Sequence, residues 1–304
     1  MITRDAAEFL TAARTLPADL QATANAVLLV RPTGFRLSGE TATDNAYMQP
    51  ELATDAARAL AEHRALETAI AERARLPVAV FDGDPSTPDA VFPNNVFANT
   101  PGRLLIGAMR HPERQRESRR TDIPAWYSER GCSVERLDQE PGVVAELTGS
   151  LVIDRARGIG FCGLTERCNA AGAEAMHRAF GLRASLMFDL TPGEYHTNVV
   201  LAVLAGRAAI LHRAAIAQPA AADAIFALYG DGAIAIDGAE KEAFVGNSIS
   251  LRPDQVWMSA TAERGLTAAT RERLRALGFA LHSVEMPEIE KAGGSLRCCV
   301  AEVY

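Results

Sequence analysis

The sequence predicts an α/β fold of radial, propeller-like organisation, and three observations predict it. Short apolar strand candidates outnumber helices by two or three to one along the whole chain. Helix-like stretches centre near residues 62, 118, 174, 222 and 269, an uneven repeat of roughly 50 residues of the kind that marks repeat architectures. No Ser- or Pro-rich linker divides the chain, so residues 1–304 read as a single domain. A doubly wound sheet asks for closer to one strand per helix.

The strands follow in order. AVLLV (26–30) and VAVF (78–81) are short runs rich in β-branched residues, the signature of buried strands. RLLIGA (103–108), SLVID (150–154) and GIGFCG (158–163) come next. NVVLAVL (198–204) and AAILH (208–212) are separated by Gly206 and Arg207, which divide a long apolar stretch into strand, turn and strand. AIAID (233–237), SISLR (248–252), VWMSA (256–260), ALHSVE (280–285) and RCCVAEV (297–303) complete the set. Among the helices, 51–73 places Leu52, Ala56, Leu60, Leu66 and Ile70 on one face, with His63 beside them as a hydrogen-bonded core histidine. The helix over 262–277 turns Leu266, Ala269, Leu274 and Leu277 inward, and Gly278 is placed to cap its end.

Composition excludes several classes of function. Of 304 residues, 48% are apolar and 23% charged, with a net charge of −7, an ordinary soluble profile without a basic face for nucleic acid. The one basic run, RHPERQRESRR (110–120), is interleaved with Glu113 and Glu117 and reads as a solvated helix face. No stretch approaches the roughly 20 apolar residues of a membrane span, and the first residues lack a signal-peptide pattern. Five cysteines without framework spacing indicate reduced thiols and a cytoplasmic location. Neither CxxC, HxH nor HExxH occurs, so no metal is expected. GDGAIAIDG (230–238) lacks a following helix and a Walker lysine, so no nucleotide or other cofactor is implied.

Chemistry is concentrated in four polar islands. PDAVFPNNVFANT (88–100) carries Asp89, Asn94, Asn95 and Asn99 among apolar residues. AELTGSLVID (145–154) sets Glu146 before a strand, with Gly149 allowing close backbone approach. EYHTNVVLAVL (194–204) holds His196 and Asn198 two residues apart, on one face of an extended backbone. GGSLRCC (293–299) ends in vicinal thiols, of which only one can face a site if the chain is extended. Together they supply a nucleophile, a proton shuttle and a carboxylate, the requirements for thiol covalent catalysis.

ELTGSLVID, GFCGLTERCN, YHTNVVLAV and KAGGSLRCC, in that order, resemble the guanidine-modifying (pentein) superfamily of arginine deiminases, dimethylarginine dimethylaminohydrolases and amidinotransferases. VLLVRPTGF…ETATDNAYMQ (27–49) and PDAVFPNNVF are similar to its arginine-deiminase-related, citrulline-utilising branch. The resemblance implies a five-bladed α/β propeller of ββαβ units around a central polar channel. It implies Cys298 as nucleophile, His196 as acid and base, and Glu146 as the acidic partner, with Leu147 where the family has glycine. Cys299 is then a packing residue. Asp89 and Asn94 would receive the polar end of the substrate, and Arg167 or Arg31 its α-carboxylate. Asn198 stands where arginine deiminases carry a guanidinium-binding aspartate, which favours a neutral ureido group, hence citrulline giving ornithine, ammonia and carbon dioxide. Arginine deiminase, dimethylarginine hydrolysis, amidino transfer, an inactive binding propeller and a homodimer remain as alternatives and partners.

Overall fold

The computed structural model describes all 304 residues. Its strands form five separate sheets, and four of them share one plan. A leading strand runs antiparallel to a middle strand, and the middle strand runs parallel to an outer one. These trios are Ala301–Val303, Ala26–Val30 and Val78–Phe81; Phe97–Thr100, Arg103–Ile106 and Ser133–Arg136; Leu151–Asp154, Ile159–Leu164 and Ala184–Asp189; and Leu201–Leu204, Ala208–Leu211 and Ala233–Ala235. In the fifth sheet Gln255–Ser259 and Ala280–Val284 are parallel, and only a single antiparallel bridge, Ile249 to Trp257, stands for the leading strand.

Each parallel pair is joined across helical chain, because parallel strands cannot be linked by a tight turn. The five connections hold Ala56–Ala69, Pro112–Glu117 with Asp122–Ser128, Ala170–Ala179, Pro219–Tyr229, and Ala260–Gly265 with Ala268–Ala276. Leading strands of neighbouring sheets pack together, Ala301–Val303 on Phe97–Thr100 and Leu151–Asp154 on Leu201–Leu204. The last residues therefore complete the first sheet, which ties Ala301–Val303 to Ala26–Val30. Before the leading strands the chain makes a short helical turn: Pro93–Asn95, Leu147–Ser150, Thr197–Val200 and Leu296–Cys299. The fifth equivalent is the turn in which Asn247 N–H donates to the Phe244 carbonyl and Ser248 Oγ to the Val245 carbonyl.

Several expectations need correction. The helix predicted from 51 begins at Ala56, because Asp55 caps it by accepting from the N–H groups of Ala57 and Arg58. Its buried face is Ala59, His63, Leu66 and Ile70, whereas Leu52 and Ala56 are exposed. The helix predicted over 262–277 is two, divided where Thr267 caps the second, and Ala269 is exposed while Thr270 is buried. A five-residue helix does follow GDGAIAIDG, capped by Asp237. The run 110–120 is solvated only in part: Arg110, Arg116 and Arg119 are exposed, but Arg114 and Glu117 are each 2% exposed and paired at 2.9 and 3.0 Å. RCCVAEV is strand only over its last residues, and both cysteines lie in the preceding helical turn. The first fifteen residues, read only as lacking a signal, form strand Ile2–Thr3 beside Ser185–Leu186 and a helix, Ala6–Thr15, packed on Pro219–Tyr229. No helix is long and apolar enough to cross a membrane.

His63 is fully buried, and neither ring nitrogen has a hydrogen-bond partner. Burial, aided by the charge of Arg31, lowers its pKa to about 4. The unfolded chain therefore takes up this proton near its ordinary value of 6.5 and the folded chain only near 4. Stability from neutral His63 is present above 6.5 and is lost as pH falls toward 4, by about 1.4 kcal/mol per pH unit. Denaturation measured from pH 7 to 4 should show this slope, and His63→Phe should flatten it.

Candidate active site

The helical turns before the leading strands bring the predicted residues together. Pro93–Asn95 packs on Leu147–Ser150 and on Leu296–Cys299, and Leu147–Ser150 packs on Thr197–Val200. Glu146, His196, Asn198 and Cys298 are all at most 2% exposed. His196 is extended but Asn198 lies in the following helical turn, so the two are not neighbours on one strand face. It is the turn that carries both toward the thiol.

Glu146 Oε2 lies 2.8 Å from His196 Nε2 and 3.3 Å from Arg167 Nη1, and Oε1 accepts from the Arg110 N–H at 3.3 Å. Burial pushes the carboxyl toward neutrality, but the Arg167 charge and the His196 hydrogen bond outweigh it and hold the pKa well below the carboxylate range. An ionised Glu146 only accepts, so Nε2 carries the imidazole proton and Nδ1 is a bare base. Nδ1 has no hydrogen-bond partner. Burial lowers the His196 pKa, against the opposing pull of Glu146. The ring packs against Tyr195, centroids 4.5 Å apart, and the Tyr195 hydroxyl donates to the Gly293 carbonyl at 2.6 Å.

Cys298 Sγ receives Asn247 Nδ2 at 3.3 Å and lies 3.8 Å from Asn198 Oδ1. Asn247 also donates to the Asn198 carbonyl (2.8 Å) and accepts from the Arg297 N–H (3.1 Å), so it ties the histidine turn to the cysteine turn. Burial raises the Cys298 thiol above its usual value, with Asn247 opposing. Cys299, equally buried, is pushed well above it by burial.

The glycines are explained by what surrounds them. A Cβ on Gly149 would stand 2.6 Å from Asn95 Oδ1 and 2.8 Å from His196 Cε1. Gly149→Ala should therefore displace the base and cut kcat by about 100-fold while the fold persists, which steady-state kinetics beside a thermal melt would check. Gly293 has φ +75 and abuts the Asn45 side chain, and Gly294 abuts the Phe92 ring. Leu147, at the resemblance's glycine position, has φ +29, a costly conformation for leucine. Its fully buried side chain packs with Ala145, Leu151 and Cys168, which holds the turn in place.

Asp89 Oδ2 accepts from Thr41 Oγ1 at 2.7 Å, while Oδ1 has no partner. Burial raises its pKa, opposed by Arg114 and Thr41. Both amide atoms of Asn94, Asn95 Oδ1 and Asn198 Nδ2 are likewise buried without partners. Arg167 is engaged by Asp44 (2.5–3.1 Å) and by the Thr41 carbonyl. Asp44 also meets His111 Nε2 at 2.9 Å. A cavity of about 460 Å³ opens here between 42–46, 164–167 and 190–195, within the range of small-molecule sites. Arg31 is not brought in: its guanidinium is held by Asp82 at 2.9 Å and Glu67 at 3.8 Å.

Sequence reasoning named Asn95 in a polar island without giving it a role, and missed Asn247 together with Arg114, which donates to the Phe92 carbonyl beneath the asparagine pair. A signal was available. Thr148, Asn198, Ser248 and Cys298 are spaced by 50 residues, and each precedes a leading-strand position.

A family model described as N,N dimethylarginine dimethylhydrolase, eukaryotic, matches residues 31–304. The chain belongs to this family. It is thereby a hydrolase of the guanidine-modifying (pentein) superfamily. An N(G),N(G)-dimethylarginine dimethylaminohydrolase of Mycobacterium tuberculosis is 28% identical over 220 residues, 71% of this chain and 67% of that one. An uncharacterized protein of Caenorhabditis elegans is 25% identical over 275 residues, 90% and 92% of the two chains. The fold matches the N-terminal domain of ArgZ, an arginine dihydrolase of the cyanobacterial ornithine-ammonia cycle, with TM-score 0.79, 19% identity and coverage of 91% and 97%. It also matches a dimethylarginine dimethylaminohydrolase adduct with S-methyl-L-thiocitrulline, with TM-score 0.69, 21% identity and coverage of 92% and 100%.

Proposed function

We propose that the chain is one domain whose five sheets close into a five-bladed propeller, and that it hydrolyses the guanidino or ureido carbon of a free amino acid through Cys298. The observation that carries this reading is the set of buried, unpartnered polar atoms on Asp89, Asn94, Asn95, His196 and Asn198 beside one thiol. Buried polar groups are ordinarily paired, and donors and acceptors in this mixture suit a flat, multiply N–H-bearing group.

In the proposed reaction the Cys298 thiol passes its proton to His196 Nδ1 as Sγ bonds to the central carbon. One C–N bond breaks, and the leaving nitrogen takes a proton from His196. His196 Nδ1 then takes a proton from water, whose oxygen adds to the carbon as the S–C bond breaks and the thiol returns. Asp89 and Glu146 offset positive charge on the reacting group. The substrate α-carboxylate takes the place of Asp44 on Arg167 as a bidentate pair. Amides at Asn94, Asn95 and Asn198 suit the neutral ureido group of citrulline. The carboxylates Asp89 and Glu146, with the likeness to an arginine dihydrolase, support arginine as well, with citrulline formed on the way to ornithine. A product assay over citrulline, arginine and dimethylarginine tests this. Ornithine and ammonia from either of the first two support the reading; dimethylamine from the third alone moves the substrate to methylated arginine; no release of any product overturns it.

A buried thiol raised by desolvation gains its charge most readily beside a cation. 2-Chloroacetamidine should therefore alkylate Cys298 at pH 7 at least about tenfold faster than neutral chloroacetamide, a difference of about 1.4 kcal/mol. Equal rates, read by intact mass, would show a thiol already ionised at rest.

A further inference from the structure

We propose that Asn247 is a further catalytic residue, whose amide N–H carries the negative charge of the Cys298 sulfur as it attacks and again as it leaves. The inference rests on the hydrolase reading above. Four of the five turns before the leading strands carry or adjoin the residues of that reading: Asn94 and Asn95, Glu146, His196 with Asn198, and Cys298. The fifth, residues 244–248, supplies Asn247, which is fully buried. Its sequence is shaped to place that side chain. Phe244 stands at φ +64, a conformation that persists only where the surroundings enforce it, and its ring packs on Tyr47 with centroids 5.5 Å apart. A Cβ on Gly246 would lie 2.3 Å from the Val199 carbonyl oxygen, so glycine lets this turn sit against the histidine turn.

The amide is held so that one hydrogen is left for sulfur. Nδ2 donates to the Asn198 carbonyl at 2.8 Å, and Oδ1 accepts from the Arg297 N–H at 3.1 Å. A backbone acceptor on one side and a backbone donor on the other fix which end is nitrogen. The second Nδ2 hydrogen is thereby aimed at Sγ, 3.3 Å away. No other side chain donates to this sulfur, and its other polar neighbour, Asn198 Oδ1 at 3.8 Å, can only accept. A thiol is a weak acceptor and a thiolate a strong one, so the contact favours the charged form. Burial raises the thiol, and the Asn247 N–H opposes that rise.

The sulfur is charged at two points of the reaction. On attack it gives its proton to His196 Nδ1 while it bonds to carbon. At the end the electron pair of the S–C bond returns to sulfur, and His196 restores the proton. A donor fixed in advance offsets such charge in a buried site without reorganising. Asn247 is placed to do this at both points, because its anchors are backbone groups of the histidine turn and the cysteine turn.

Removing the donor tests this without any substrate. Asn247→Asp keeps the shape and an acceptor for the Arg297 N–H but has no N–H, and Asn247→Ala removes the amide without adding charge. Neutral chloroacetamide at pH 7 should alkylate Cys298, located by fragmentation of the C-terminal peptide, about threefold to fivefold more slowly in both. That is a roughly tenfold loss of thiolate, partly offset by the greater nucleophilicity of what remains. A merely structural Asn247 predicts the opposite, because a loosened turn admits water and reagent to the thiol. Equal or faster alkylation in the folded variants therefore overturns the proposal. With substrate, acid-quenched time courses read by intact mass should show the Cys298 adduct of Asn247→Ala breaking down about tenfold more slowly, and breakdown at the wild-type rate overturns the leaving-group role. A crystal structure of the wild-type protein alkylated by 2-chloroacetamidine depends on no variant. Asn247 Nδ2 is expected to stay within about 3.5 Å of Sγ, and an amide turned away from it overturns the proposal. Failure of the wild-type protein to form any adduct with substrate would instead sink the hydrolase reading and leave the alkylation result standing.

Discussion

Cys298→Ala should reduce turnover by at least about 10⁴-fold while the protein remains folded. The substitution removes only the sulfur from a 1% exposed position, and the 22-residue cluster around it keeps Leu296, Cys299 and Val300 in place. The structural cost is about 1 kcal/mol, readable in a denaturant melt. Substrate should still bind, because Asp89, Asn94, Asn95 and Arg167 are untouched. Cys299→Ala makes the contrast. Its thiol is as deeply buried, has no polar partner in the site, and should cost stability without a comparable loss of turnover.

Glu146→Gln should lower kcat by about 10³–10⁴-fold with a smaller change in KM. Glutamine keeps the shape but can donate to Nε2, which moves the imidazole proton to Nδ1 and removes the bare base. The same change leaves the Arg167 guanidinium, 2% exposed, with Asp44 as its one remaining carboxylate. Removing one partner of a buried pair costs about 3 kcal/mol. The pH dependence separates this loss from mere looseness. Because the folded pKa of Glu146 is depressed, its stabilisation is present above the ordinary carboxylate value and is lost as pH falls below it. The wild-type advantage over Glu146→Gln should therefore be full at pH 7 and shrink steadily below about pH 4. A gap that stays constant with pH would show that packing, and not charge, is responsible.

The middle strands and the five connecting helices were legible in the sequence because they are long enough to show a period or a continuous apolar run. Ala26–Val30 and Val78–Phe81 match their predicted bounds. Strands such as Phe97–Thr100 and Ser133–Arg136 were not, being short and half polar. The SISLR segment fits a strand by pattern but makes only one bridge. Four-residue helical turns leave no periodic trace, so the turns that hold Asn198 and Cys298 read as extended chain. The residues that the fold gathers into the cluster were thus picked out through polar islands beside apolar runs, with the wrong local geometry. Burial of charge was the other blind spot. Arg114 and Glu117, spaced i, i+3, have the composition of a surface helix, and only tertiary packing decides that they face inward. Arg31 sits in a stretch that resembles the family's, yet Asp82 and Glu67 draw it away from the cluster.

The central claim is that Cys298 becomes covalently attached to the substrate carbon during turnover. Acid quench of the working enzyme with citrulline or arginine, followed by digestion and mass spectrometry of the C-terminal peptide, tests it most directly. The account predicts a transient mass increase on Cys298 that appears before product release, persists longer in His196→Ala, and leaves Cys299 unmodified. Full turnover with an unmodified Cys298, or an adduct mapped to Cys299, would contradict it.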